Sequence, residues 1–267
     1  MIRDITIGQH YKADSPLHSM DARSKLVLTF LYIISLFLIE SFVGYVLTIV
    51  FLGVVIKISK VPFKFMIKGL KSLVIIIAFT VIINIFTYGG DTTLFTVWKF
   101  TATLEGVLFA IKMCLRILLL IIGSSLLTLT TTPIKLTDGI ESLLKPLDKI
   151  GVPSHDIAMM MTIALRFIPT LLEETDKIIK AQQARGADFD TGGLASKARA
   201  LVPILVPLFI SAFRRADELA IAMEARCYRG GENRTRMNVM QITSVDYVAT
   251  GVFAVYFILI IVIKVVL

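Results

Sequence analysis

The sequence predicts an all-α, polytopic membrane protein with about five transmembrane helices and a cytoplasmic coupling domain of three amphipathic helices. Three observations predict it. Of the 267 residues 56% are hydrophobic, at a mean hydropathy of +0.80. Only 18% are charged, against roughly 25% in a soluble domain. The charges are also concentrated: residues 132–244 hold 15 Lys+Arg and 13 Asp+Glu. Such a composition excludes disorder and small disulfide scaffolds. The organisation that follows is an N-terminal transmembrane region over 1–131 with four spans, a coupling-helix domain over 132–244, and a C-terminal transmembrane helix over 245–267.

The first 25 residues mix acids, bases and turn formers without an apolar core, so no cleavable signal peptide is expected. From Leu26 to Ile56 the only charge is Glu40, and Gly44 follows it, which predicts a tight hairpin of two short spans. Five lysines without an acid come next: Lys57, Lys60, Lys64, Lys68 and Lys71. That loop is assigned to the cytoplasm by the positive-inside rule, in contact with anionic lipid. Ser72 to Tyr88 is an uncharged third span ending at Gly89, Gly90 and Asp91; a Thr-rich aromatic stretch with Trp98 then suits the opposite interface. The fourth span runs from about Gly106 to Thr131. Its Lys112 and Arg116 share a helix face and are expected to snorkel, the other reading being an ion pathway. Tyr247 to Ile263 is the last span, with Lys264 at its end. By parity the N-terminus and the coupling domain are cytoplasmic and the C-terminus lies outside.

The coupling domain reads as three helices. Thr132 as N-cap with Pro133 behind it opens the first, whose apolar stripe is Leu136, Ile140, Leu143, Leu144 and Leu147; Pro146 frays its end. Pro153-Ser154 opens a second that runs to Arg185, where Gly186 offers a left-handed stop. Gly192-Gly193 leads to a third, seamed by Leu208, Phe209, Ala212, Phe213, Ala216, Leu219, Ala220 and Met223 and stopping near Gly230-Gly231.

The ends of the second and third helices repeat one another at an offset of 41 residues: Asp176, Ala181, Ala184 and Arg185 match Asp217, Ala222, Ala225 and Arg226. Each Arg has small neighbours that leave its guanidinium unshielded, and guanidinium pairs bidentately with carboxylates. The pair therefore reads either as two equivalent docking arms for similar acidic partners or as two ordinary arginines capping helix carbonyls.

Five blocks in order, Thr131-Thr132-Pro133, Leu165-Arg166-Phe167-Ile168-Pro169 with Glu173-Glu174, Ala184-Arg185-Gly186, Arg214-Arg215-Ala216, and Met223 to Gly230, resemble the T component of energy-coupling-factor (ECF) transporters. The likeness is close from about 131 to 231 and extends to the spans in number and order. It implies a non-catalytic membrane scaffold that joins two ABC ATPases, same or different, to a membrane-embedded substrate-binding S component for vitamin uptake in the cell membrane. Carried over, the ATPase-docking residues are Ala184, Arg185, Gly186, Ala225, Arg226 and Cys227, with Cys227 standing where the family has Gly. Arg166, Pro169, Pro203 and Pro207 fall to the S-component and coupling platform. Arg214-Arg215 is expected to pair with Glu173-Glu174.

No phosphate-loop pattern occurs, so no cofactor is expected in this chain and ATP belongs to partner subunits. His10, His18 and His155 are scattered, which predicts no metal cage, and Cys114 and Cys227 no disulfide. The excess of 28 Lys+Arg over 20 Asp+Glu is assigned to membrane and protein partners rather than to nucleic acid. A self-contained secondary transporter or channel is the alternative; its spans would carry the repeats and ionisable groups that are sparse here.

Overall fold

The computed structural model describes residues 10–63, 65–66, 73–89, 92–97, 100–187, 193–231 and 239–266. The fold class is as expected: helices α1 (Pro16–Ser19), α2 (Ala22–Leu38), α3 (Phe42–Ser59) and α4 (Val74–Thr87) are followed by α5 (Leu104–Thr130), α6 (Pro133–Leu144), α7 (Ser154–Ala184), α8 (Leu194–Ala225) and α9 (Ser244–Val266). Two short antiparallel strands, β1 (Thr93–Val97) and β2 (Phe100–Thr103), lie between α4 and α5 in the stretch that the sequence assigned to the opposite interface without a secondary structure. Trp98 lies outside the described residues, as do Lys64, Lys68, Lys71, Gly90, Asp91 and Gly192.

Among the described residues four helices are long and apolar enough to cross a membrane: α3, α5, α7 and α9. Helix α2, at 17 residues, and α4, at 14, fall short of the roughly 20 residues of a full span. Helix α7 qualifies through its apolar first half; its second half carries Glu173, Glu174, Asp176, Lys177 and Lys180.

Two compact units are present. One comprises Ile7–Ile140 with Asn238–Leu267, the other Glu141–Met237. Residues 132–140, which the sequence reading groups with the coupling helices, thus fall in the first unit.

In the first unit α5 packs against α2, α3 and α4, and α9 against α2 and α3. Between helices in lipid the hydrophobic drive is small, so close approach and polar contacts carry the packing. Both are visible. A Cβ on Gly123 of α5 would collide with the ring of Tyr32, whose hydroxyl donates to the Leu119 carbonyl at 3.0 Å. The hydroxyl of Tyr256 on α9 bonds to Ser35 of α2 at 3.1 Å and to Thr48 of α3 at 3.0 Å. At the other end of α9, buried Asp246 accepts from the Asp21 N–H at 2.9 Å and from the Thr243 N–H and hydroxyl, each at 2.8 Å. Asp21 in turn caps α2 through the Arg23 N–H and pairs with the Arg23 guanidinium at 2.8 Å.

The second unit is built on α7 and α8. A 3-10 turn over Lys145–Ile150 follows α6 after Leu144, in keeping with Pro146, and the Asp148 carboxylate accepts from the first N–H of α7, that of Ser154, at 3.1 Å. The Ser154 side chain first, and this N–H second, hold the Asp148 carboxyl below its usual range.

Candidate functional site

The two arginines singled out by the repeat sit at matched helix ends. Arg185 follows the last residue of α7 with φ −85°, and Gly186 then turns left-handed at φ +87°. The Ala187 N–H returns to the Gln182 carbonyl and the Gly186 N–H to that of Gln183, both at 3.0 Å. Arg226 follows α8 with φ −92°, and here Cys227 is the left-handed residue, at φ +53°. The Tyr228 N–H bonds the Met223 carbonyl at 3.0 Å and the Cys227 N–H that of Glu224 at 2.8 Å. Both ends are therefore Schellman caps with the same bond pattern. Helix α8 stops five residues before the expected Gly230, because Cys227 already supplies the left-handed turn.

Backbone N–H groups satisfy the terminal carbonyls, and neither guanidinium is bonded to anything among the described residues. Ala184, Arg185, Gly186, Ala225, Arg226 and Cys227 are all exposed.

Helices α7 and α8 run antiparallel. Gln182 of α7 meets Pro203 of α8, Glu174 meets Ser211 and Arg215, and His155 meets Tyr228. Arg185 and Arg226 thus lie at opposite ends of the pair, each terminating a helix of about 46 Å. Glu174 accepts from the Ser211 hydroxyl and from Nε and Nη2 of Arg215, at 3.3 and 3.0 Å. The separation of Glu174 and Arg215 is 41 residues, the offset of the repeat itself. Residues at that offset are equivalents, so the ion pair joins matching positions of the two helices. Arg185 and Arg226 each stand eleven residues beyond it, about 16 Å along either helix. Of the expected pairing, Glu174 and Arg215 meet, whereas Glu173 and Arg214 are exposed. The Ser211 bond, followed by the Arg215 pair, holds the Glu174 carboxyl below its usual range.

The proline positions lie inside helices: Pro169 in α7, Pro203 and Pro207 in α8. Pro207 has no N–H for the Pro203 carbonyl four residues before it. Gln182 of α7 donates to that carbonyl at 3.4 Å, a contact that no local pattern in the sequence announces. Arg166 and Pro169 are exposed on α7. Also missed was His155, whose Nδ1 faces Glu141 at 3.1 Å and whose Nε2 faces the Tyr228 hydroxyl at 3.3 Å.

In the first unit Lys112 and Arg116 face the α2–α3 turn. Arg116 donates to the Ile39 carbonyl at 3.0 Å, closing the end of α2, and Lys112 lies over the Phe42 ring at 5.2 Å. Both are partly buried against their neighbours, which differs from the expected simple snorkelling.

Four helices long and apolar enough to cross a membrane among the described residues define the class, a polytopic membrane protein, and the comparisons with known proteins make it a transporter subunit. The model of the cobalt transport protein family (CbiQ) matches residues 13–237. The chain is 58% identical over 251 residues to the energy-coupling factor transporter transmembrane protein EcfT of Clostridium kluyveri, covering 94% of this chain and 93% of that one. Against the protein of the same name from Ruminiclostridium cellulolyticum it is 57% identical over 257 residues, covering 96% of each, and against that of Bacillus subtilis 46% over 246 residues, covering 92% and 93%. The chain belongs to the family of transmembrane (T) components of energy-coupling factor transporters.

Proposed function

We propose that this subunit couples ATP hydrolysis by two ABC ATPase partners to reorientation of a substrate-binding S component for vitamin uptake, with Arg185 and Arg226 as the two ATPase-docking points. The observation that carries the reading is the pair of exposed, uncommitted guanidiniums on identical caps at the two ends of one antiparallel helix pair. Equivalent ends suit two similar partners. Guanidinium against carboxylate supplies bidentate, charge-assisted contacts at each. When the ATPases close on ATP, the helix ends move about the Glu174–Arg215 crossing as levers of equal length, and the apolar faces of α7 and α8 pass the motion to a partner in the membrane. The chain itself supplies no catalytic group and holds no nucleotide. N-terminus and coupling helices lie on the cytoplasmic side in this reading, with the C-terminus outside.

Arg185→Ala and Arg226→Ala are each expected to weaken ATPase docking by roughly 2 to 5 kcal/mol where the contact is desolvated, and the double substitution to abolish uptake. Co-purification of both ATPases unchanged with the double variant overturns the reading. The native Cys227 gives a second readout, since its exposed thiol adjoins Arg226. ATPase binding is expected to shield it from maleimide, and labelling at an equal rate in the complex counts against docking there. The cargo is tested by uptake of labelled vitamins and of cobalt in the same cells; cobalt uptake alone, dependent on this chain, reassigns it.

A further inference from the structure

A groove of about 470 Å³ opens among α1, α2, α3, α5 and α9 of the first unit, within the roughly 300–1,000 Å³ of ligand sites. Its walls are almost wholly apolar, with Leu28, Phe51, Leu127 and Val252 among them. Along α2 the lining runs from Lys25 to Tyr32 and along α5 from Thr130 back to Gly123, about 10 Å on either helix. The groove therefore leads from a charged end of the bundle toward its apolar middle.

Lys25 is the charge at that end. Only 7% of it is exposed, and its Nζ donates to the Thr130 carbonyl at 3.0 Å and the Thr131 hydroxyl at 3.3 Å. An ammonium has three donors, so one remains. No carboxylate pairs with it among the described residues: Asp21 is taken by Arg23, and Asp246 by the Asp21 and Thr243 donors. Lys135 adds to the positive field at Lys25, and Asp246 and Asp21 oppose it from beyond contact distance. Burial first, then His18, Lys25, Lys135 and Lys12, hold the His10 imidazole below its ordinary pKa. Lys57 and Lys60, at the C-terminal end of α3, flank Ile58 of the groove wall, which adds basic groups beside the groove. A buried ammonium without a carboxylate in contact is costly to keep, and an anion at the mouth lowers that cost.

We propose that this groove is a binding site for one anionic phospholipid of the adjacent leaflet, its phosphate on Lys25 and one acyl chain laid along the groove. The apolar depth selects a chain, and the single buried cation at the interface end selects the headgroup. Basic pockets between spanning helices are suited to such headgroups, at about fivefold per cation.

The test is native mass spectrometry of the full chain released from detergent with added phosphatidylglycerol or phosphatidylcholine. The wild type is expected to retain one phosphatidylglycerol, at least about fivefold over phosphatidylcholine. Lys25→Gln removes that preference while leaving phosphatidylcholine retention unchanged; Lys25→Arg keeps it; Ala249→Phe, which fills the groove, abolishes retention of both. Equal retention of the two lipids by the wild type, or an undiminished preference in Lys25→Gln, overturns the proposal. Displacement by excess inorganic phosphate also overturns it, since it marks an anion site without a chain. Loss of the lipid in the complex purified from membranes gives the groove to a partner helix and overturns it as well. Should Lys25→Gln fail to fold, the wild-type preference and Ala249→Phe decide.

Discussion

Cys227 shows how a single residue can fill a conformational role that its identity does not announce. A side chain at φ +53° crowds the carbonyl that follows, at a cost of about 1–2 kcal/mol. Glycine relieves that strain but loosens the unfolded chain by about 0.4–1 kcal/mol. Cys227→Gly is therefore expected to leave thermal stability within about 1 kcal/mol and ATPase co-purification intact. Gly186→Ala is the opposite case. It forces a Cβ onto φ +87° and should fray the end that bears Arg185, weakening docking on that side alone. Equal effects of the two substitutions in a thermal-shift and pull-down comparison refute the shared-cap geometry. The arginines were legible in the sequence because Ala-Arg recurs at a fixed offset and Gly186 is the residue a left-handed stop prefers. The stop at Cys227 was not, since its backbone angle is imposed by the returning Tyr228 and Cys227 N–H bonds. Gly123 is a second such position: its lack of a Cβ admits the Tyr32 ring, a contact no local pattern encodes. Gly123→Ala is expected to push Tyr32 off the Leu119 carbonyl and cost about 1–3 kcal/mol, read as a lower unfolding temperature in detergent.

Helix α7 meets α8 at Glu174, and there the repeat gains a geometric meaning that its spacing alone lacked. Glu174 and Arg215 are repeat equivalents, so one acid and one base occupy the same structural position on opposite helices and pair across the crossing. Glu174→Gln keeps the shape and the Ser211 contact while removing the charge. It is expected to lower ATP-driven uptake more than ATPase docking, whereas Arg185→Ala lowers both. The reversed pair, Glu174→Arg with Arg215→Glu, should recover part of the loss, and failure of any recovery argues against a pivot. The pH dependence follows from the lowered Glu174 pKa. Its stabilisation is complete above the ordinary glutamate value of about 4.5 and is lost as pH falls through the lower folded value. Because the pair is partly exposed, the effect is small and screened by salt. Cross-linking between α7 and α8 should thus hold from neutral pH down to about 4.5 and decline only below it. Most of these elements were legible as hydrophobic runs with caps. The β1–β2 hairpin was not, because a short Thr-rich stretch between spans carries no period long enough to separate strand from coil.

The surface of the second unit distinguishes two kinds of partner. Val202, Val206, Phe209 and Phe213 of α8 recur at helical spacing on one face, and all are exposed, Phe213 by 69%. Large apolar side chains contiguous on a polar helix mark a contact surface. The arginine ends are polar and suit carboxylates; this face is apolar and suits a membrane-embedded partner. The two tasks should therefore separate by substitution. Val206→Ser with Phe209→Ser, remote in sequence from both caps, is expected to release the S component while both ATPases stay bound, and to leave ATP hydrolysis uncoupled from uptake. Arg185→Ala with Arg226→Ala is expected to release the ATPases while the S component stays. Subunit stoichiometry after purification of each variant from membranes reads both outcomes. If either double variant sheds all partners together while the chain itself remains folded, docking and coupling are one surface, and the picture of a frame gripped at its ends and working through its middle fails.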